Sequence, residues 1–158
     1  MAIKGLPYRN GSVFLVPLPT GGIARGVVAR VAPKGRIVSG YFFGPRLTPS
    51  QPIDLSDLSP EKAIYRARFG DLGLINASWI VVETLPDWNP AQWPTPAAVR
   101  RDLLGLRSPI LVEHDDENPS KVLRESRFVG PDNVPADGVA GHGYVELKLD
   151  KLLARALG

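Results

Sequence analysis

The stretch "GSVFLVPLPTGGIARGVVARV", Gly11–Val31, decides the fold. An apolar, β-branched and aromatic run, Val13 to Leu18, leads into Pro19-Thr20-Gly21-Gly22, and a second run, Ile23 to Val31, carries Arg25 and Arg30. Three readings compete: a glycine loop for phosphate, a basic ribbon for nucleic acid, or the first hairpin of a β domain. The glycines lack the Gly-x-x-x-x-Gly-Lys-Ser/Thr spacing, and a strand pattern follows them, so no helix N-terminus is available to hold an anion. As a hairpin the stretch is coherent. Pro17 cannot donate to a ladder and marks a strand edge or end, and glycine supplies the positive φ of a tight turn. Strict alternation places Arg25 and Arg30, five residues apart, on opposite faces, which weakens the ribbon.

Working outward, Pro33-Lys34-Gly35 is a second turn and Arg36 to Phe43 a third strand, giving a meander. Its runs are apolar on both faces in places, so something must cover each side. Residues 44–60 read as a loop with four prolines. Ile64 to Phe69 fits helix or strand, and the Gly70-Asp71 break favours strand. Trp79 to Glu83 is a strand with Trp79 in the core. "LPDWNPAQWPTP" is a rigid loop in which Trp88 and Trp93 either pin the loop to the body or stand exposed as interface anchors. Thr95-Pro96 before "AAVRRDLLG" predicts a short helix closed by Gly105. "PILVEHDDENPS" is a strand entering an acidic loop, and residues 121–131 fit either element. Near the C-terminus, Val145, Leu147 and Leu149 alternate with Glu146 and Lys148 as in a half-buried strand. Helical spacing follows from Leu149 to Leu157, with Asp150 as cap. The expectation is a single β-rich α+β domain over residues 1–158. Its N-terminal antiparallel meander forms an SH3-like or partly open barrel, with one or two short helices including a C-terminal one.

The 158 residues suffice for a core without metal or disulfide help. With no cysteine, disulfides, thiolate metal sites and a cysteine nucleophile are excluded. The opening "MAIKGLPYRNGS" does not read as a signal peptide, and no run reaches the ~18 apolar residues of a membrane span, so a cytoplasmic protein is expected. Sixteen glycines and sixteen prolines favour short strands and shaped loops over long helices. The formal net charge is +3, but it is unevenly spread. Lys4, Arg9, Arg25, Arg30, Lys34, Arg36 and Arg46 precede the first acid, Asp54, and acids thicken at Glu113, Asp115, Asp116 and Glu117.

Sites for chemistry are sparse. His114 to Asn118 offers hard oxygen ligands without the spacing or central glycine of a calcium loop, so it reads as a surface acidic turn, and no metal or other cofactor is expected. There is no Gly-x-Ser-x-Gly elbow. His114 and His142 are the only histidine bases, and no carboxylate pair stands out among the sixteen acids. A hydrolase using surface carboxylates is therefore the weakest option. The basic meander with Tyr8, Phe14, Tyr41, Phe42 and Phe43 offers a stacking platform for single-stranded nucleic acid, against the alternative that these rings build the core. The modest net charge makes nucleic acid an unlikely partner.

Three blocks taken in order, "GSVFLVPLPTGGIARGVVARV", "FGDLGLINASWIVVETLPDWNPAQWPTP" and "PADGVAGHGYVELKLDKLL", resemble the immunity protein 26 family of bacterial polymorphic-toxin systems. The matching residues look structural: Gly11, Phe14, Pro17, Phe69, Gly70, Asp71, Trp79, Trp93, Gly138, Gly141 and Val145. Ser78 stands where the family pattern has glycine before the tryptophan. The resemblance implies a non-enzymatic cytosolic antidote that binds a cognate toxin domain. The residues expected at that interface are Glu113, Asp115, Asp116 and Glu117, as a phosphate mimic for a basic cleft, together with Trp88 and Trp93.

Overall fold

The computed structural model describes residues 5–102, 104–130 and 134–157. Lys4, Leu103 and Pro131, which entered the expectations above, lie outside the described residues. The element order is β1 (Ser12–Pro17), β2 (Ile23–Val31), β3 (Ile37–Leu47), β4 (Tyr65–Gly70), α1 (Leu72–Ile75), β5 (Ile80–Thr84), β6 (Ala98–Arg100), β7 (Ile110–Asp115), β8 (Asn118–Arg127), β9 (Val139–Ala140) and α2 (His142–Leu157). Six strands form one sheet in the order β5-β1-β2-β3-β4-β9, and three form a second in the order β6-β7-β8. Neighbours are antiparallel except β4 and β9, which run parallel. The fold is thus β-rich α+β with a C-terminal helix, and the described strands close no barrel.

The opening stretch is the first hairpin. Val13 lies opposite Val27 and Pro17 opposite Ile23, so Pro17 ends its strand. Gly21 and Gly22 hold φ of +108° and +82°, and a Cβ on Gly22 would sit 2.9 Å from the Leu47 carbonyl. Strand β3 continues past Phe43, where a loop was expected, because a wide bulge absorbs Pro45. Arg25 pairs with Phe43 and Ile23 with Leu47, leaving Gly44 to Arg46 opposite Ala24.

Both faces of the large sheet are covered, each by a different device. On one face Phe14, Phe42, Phe69 and Trp79 pack with Val145, Leu149 and Leu153 of α2. The Phe14 and Trp79 rings are stacked at 5.4 Å, and Phe42 stands edge-on to Phe14 at 5.7 Å. Trp79 is 1% exposed, and its Nε1 donates to Glu146 of the helix at 2.8 Å. On the other face Val13, Val27, Tyr41 and Phe43 pack with Leu58 and Trp93 from the two proline-rich loops. At the turn before Trp79, Ala77 takes the left-handed conformation (φ 63°), and the Ser78 amide donates to the Asn76 side chain at 2.9 Å.

Two elements differ from expectation. Ala98–Arg100 is a strand, not the first turn of a helix. Val99 is 3% exposed and pairs with Leu111, while its amide and carbonyl bond to the backbone at Pro135 and Asp137. Tertiary pairing on both sides outweighs the local Thr-Pro signal. Residues 142–149 are helical, not a strand. Val145 and Leu149 are both fully buried, four residues apart, whereas Leu147 is 54% exposed, which is the signature of period 3.6 rather than 2. The strand on this side is the short β9, docked beside Arg68 and Phe69 of β4.

Candidate protein-binding surface

Strand β2 carries an extra residue. Val28 pairs with Gly40 and Arg30 with Ser39, so Ala29 is bulged out of register. The bulge turns Arg30 onto the face that already holds Arg25, Val27 and Tyr41, in place of the opposite faces that strict alternation predicts. Both arginines are buried, at 2% and 4% exposure. Arg25 binds both carboxylate oxygens of Asp57 (2.6 and 3.1 Å) and the carbonyls of Asp54 and Gly44. That guanidinium holds the Asp57 carboxyl below its ordinary range.

Arg30 gathers the loop tips. It donates to the carbonyls of Trp93 (3.0 Å) and Pro90 (2.8 Å) and to the Asp116 carboxylate (3.0 Å). The other Asp116 oxygen accepts the Thr95 amide at 3.1 Å. The tryptophan loop and the acidic turn between β7 and β8, over twenty residues apart in sequence, therefore meet over one buried cation. Trp93 is 3% exposed, edge-on to Tyr41 at 5.1 Å and to Phe43 at 6.0 Å, so it pins its loop. The Tyr41 hydroxyl donates to the Pro94 carbonyl at 2.6 Å. Trp88 stacks on Trp93 at 5.5 Å and lies against Gly11, keeping part of its ring half-buried at the surface.

The four acids have distinct surroundings. Glu113 accepts from Arg124 across the hairpin at 2.8 Å. Asp116 is engaged by Arg30 and Thr95 as above. Asp115 accepts the Glu117 amide at 2.8 Å and so shapes the turn, and Glu117 is exposed. Among the described ion pairs, none takes up Asp115 or Glu117, so these two supply the outward negative charge of the tip.

A second junction ties the two sheets together. Asp137 accepts from Arg68 of β4 at 2.9 Å and from Arg100 of β6 at 3.2 Å. His114 of β7, 6% exposed, has Nε2 3.9 Å from the same carboxylate. Burial, reinforced by the Arg68 charge, pushes the His114 pKa down, so the imidazole is neutral at pH 7. Neither Arg30 nor Asp137 announced itself in the sequence as an organising residue, because a bulge and a contact across 69 residues leave no local pattern.

The other chemistries find little to build on. Tyr8, Phe14, Tyr41, Phe42 and Phe43 are each at most 3% exposed, so these rings form core rather than a stacking platform. Among the described residues no group of three or more histidines and acids is arranged to hold a metal ion. No described helix is long and apolar enough to cross a membrane.

What emerges is a β-rich scaffold whose tryptophan loop and β7–β8 turn meet over Arg30 and carry polar and aromatic side chains at the surface. The model of the immunity protein 26 family matches residues 9–109, and the chain belongs to that family. Two of the three blocks of resemblance lie inside this match, and the third, at the C-terminus, lies beyond it. No curated protein and no solved structure matches the chain.

Proposed function

We propose that the protein binds a cognate bacterial toxin domain in the cytosol and blocks it without catalysing a reaction, with residues 1–158 acting as one unit. Membership of an immunity-protein family is the observation that carries this reading. The surface supports it. The tip bearing Asp115 and Glu117 is joined, through Asp116 and Arg30, to the loop that carries the half-buried Trp88 stacked on the pinned Trp93. An aromatic anchor beside unneutralised charge is the usual make-up of a binding hot spot with a steering rim. Glu113, two residues before Asp115 on β7, is held by Arg124 of β8. A stable complex of this kind buries on the order of 1,600 Å² in total, so further surface must take part.

The test is co-expression with the C-terminal domain of a candidate toxin sought among the genes beside the one for this protein. Co-purification of the two chains and restored growth of cells making the toxin domain are expected. Failure of both overturns the reading.

A further inference from the structure

The large sheet has an unfinished edge. Strand β9 covers the outer side of β4 only at Arg68 and Phe69, so Tyr65, Arg66 and Ala67, which pair with β3 on their inner side, have no described strand on the outer one. Just before β9 the chain veers off to bond with Val99 of the second sheet, and Gly138 takes a φ of +132° at the departure. The result is a groove of about 1020 Å³ between the β4 edge, residues 134–141 and the exposed flank of α2. Three residues of open edge span about 10 Å of strand. Unpaired edges are normally covered or blunted, because they template pairing with another chain.

The walls of the groove differ in character. Tyr65 and Ala67 point to the helix side, where Tyr144 and Leu152 line the groove and Lys148 joins them. Arg66 points to the other side, its guanidinium 5.3 Å from the Tyr41 ring centre and donating to the Pro60 carbonyl. The Arg66 Nε is buried and has no acceptor among the described residues. Such an orphaned charged donor carries a desolvation cost that an incoming acceptor would remove. Among the described lining residues, Arg66 and Lys148 enter no ion pair, whereas the Asp137 carboxylate is already engaged by Arg68 and Arg100.

We infer that the open edge of β4 receives a short, extended, acidic segment of the protein partner, added as a strand beside Tyr65–Ala67. This rests on the toxin-binding reading and gives the partner a second point of attachment. Alternation along the added strand sets its sequence requirement. An apolar side chain enters the helix side between Tyr65, Tyr144 and Leu152, and the residue beside it, an acid, meets Arg66. Main-chain pairing supplies affinity, and the two differing walls supply specificity.

Hydrogen exchange of the full chain tests this with two probes. One is a blocked ten-residue peptide alternating valine and aspartate, with a valine–lysine peptide as control. The other is the neighbouring toxin domain. The valine–aspartate peptide should slow exchange over Tyr65–Ala67, and the lysine peptide should not. Arg66→Glu and, independently, the solvent-exposed Lys148→Glu should each weaken binding of both probes at least tenfold, while Lys34→Glu should not. Should Arg66→Glu fail to fold, Lys148→Glu carries the comparison. Peptide protection without toxin binding would keep the groove and overturn the toxin reading. Tight toxin binding with no protection at Tyr65–Ala67 and an unchanged Kd in Lys148→Glu would overturn the groove and keep the toxin reading. If neither probe slows exchange there, the groove inference is wrong.

Discussion

Gly26 of β2 faces the ring of Phe14, and replacing it with alanine probes how tightly the helix-side core is set. A Cβ at Gly26 would stand 2.4 and 2.5 Å from the Phe14 Cζ and Cε2 atoms. Carbon contacts relax near 3.5 Å, so the ring must retreat by about 1 Å. It has nowhere to go: Trp79 is stacked on it at 5.4 Å, Phe42 meets it edge-on at 5.7 Å and Phe69 lies at 6.0 Å. Overpacking of this kind costs about 1–3 kcal/mol. Alanine recovers roughly 0.4–1 kcal/mol by restricting the unfolded chain, and the Gly26 φ is not in the left-handed region, so no strain adds to the cost. The net expectation is a loss of about 1–2 kcal/mol, or about 2–8 °C in Tm for a chain of this length. Urea denaturation followed by tryptophan fluorescence measures it, with Phe14→Leu and the double variant completing a cycle. In the Phe14→Leu background the alanine should cost at least about 1 kcal/mol less. An equal cost in both backgrounds, or none in either, would refute the packing argument.

Asp57→Asn should destabilise by about 1–3 kcal/mol, a figure reduced from that of a buried pair because the Asp57 side chain is 41% exposed. Since Arg25 lowers the Asp57 pKa in the folded state, this contribution is present above the unfolded carboxylate pKa of about 4 and is lost as pH falls below it. Denaturation midpoints of the two proteins should therefore converge in strong acid. His114 has its folded pKa depressed, so the unfolded chain binds a proton first, and stability should fall as pH drops below about 6.5. His114→Gln should flatten that part of the pH–stability curve; an unchanged slope would count against a buried neutral imidazole. Asp115→Asn combined with Glu117→Gln should slow capture of the toxin domain about tenfold at low salt and flatten its salt dependence in stopped-flow, with little change in Tm.

The meander and the Trp79 strand were legible because each is a short apolar run bounded by Gly or Pro turns, with nothing competing for the chain. The two-sided cover was legible too, since Val13 and Phe14, adjacent in sequence, both had to be buried. The helix expected after Pro96 failed for the opposite reason: its local signal was real, but Val99 gains more from β7 on one flank and the backbone of residues 135–137 on the other. At Val145, Leu147 and Leu149 the sequence satisfied period 2 and period 3.6 at once, and only the exposure of Leu147 separates them. The candidate surface was legible residue by residue, as acids and tryptophans. Its assembly was not, because Arg30 reaches Asp116 and Trp93 only through a bulge at Ala29 that no residue type there announces.

The inward-turned arginines alter what a partner meets. The first third of the chain is wholly basic on paper, and the calculated isoelectric point is about 9.4. Yet Arg25, Arg30 and Arg46 are each sunk into the body against Asp57, Asp116 and Asp150. Folding withdraws these cations from the outer field, and an approaching molecule meets a mosaic of loop tips and groove walls where the linear charge map shows one basic third.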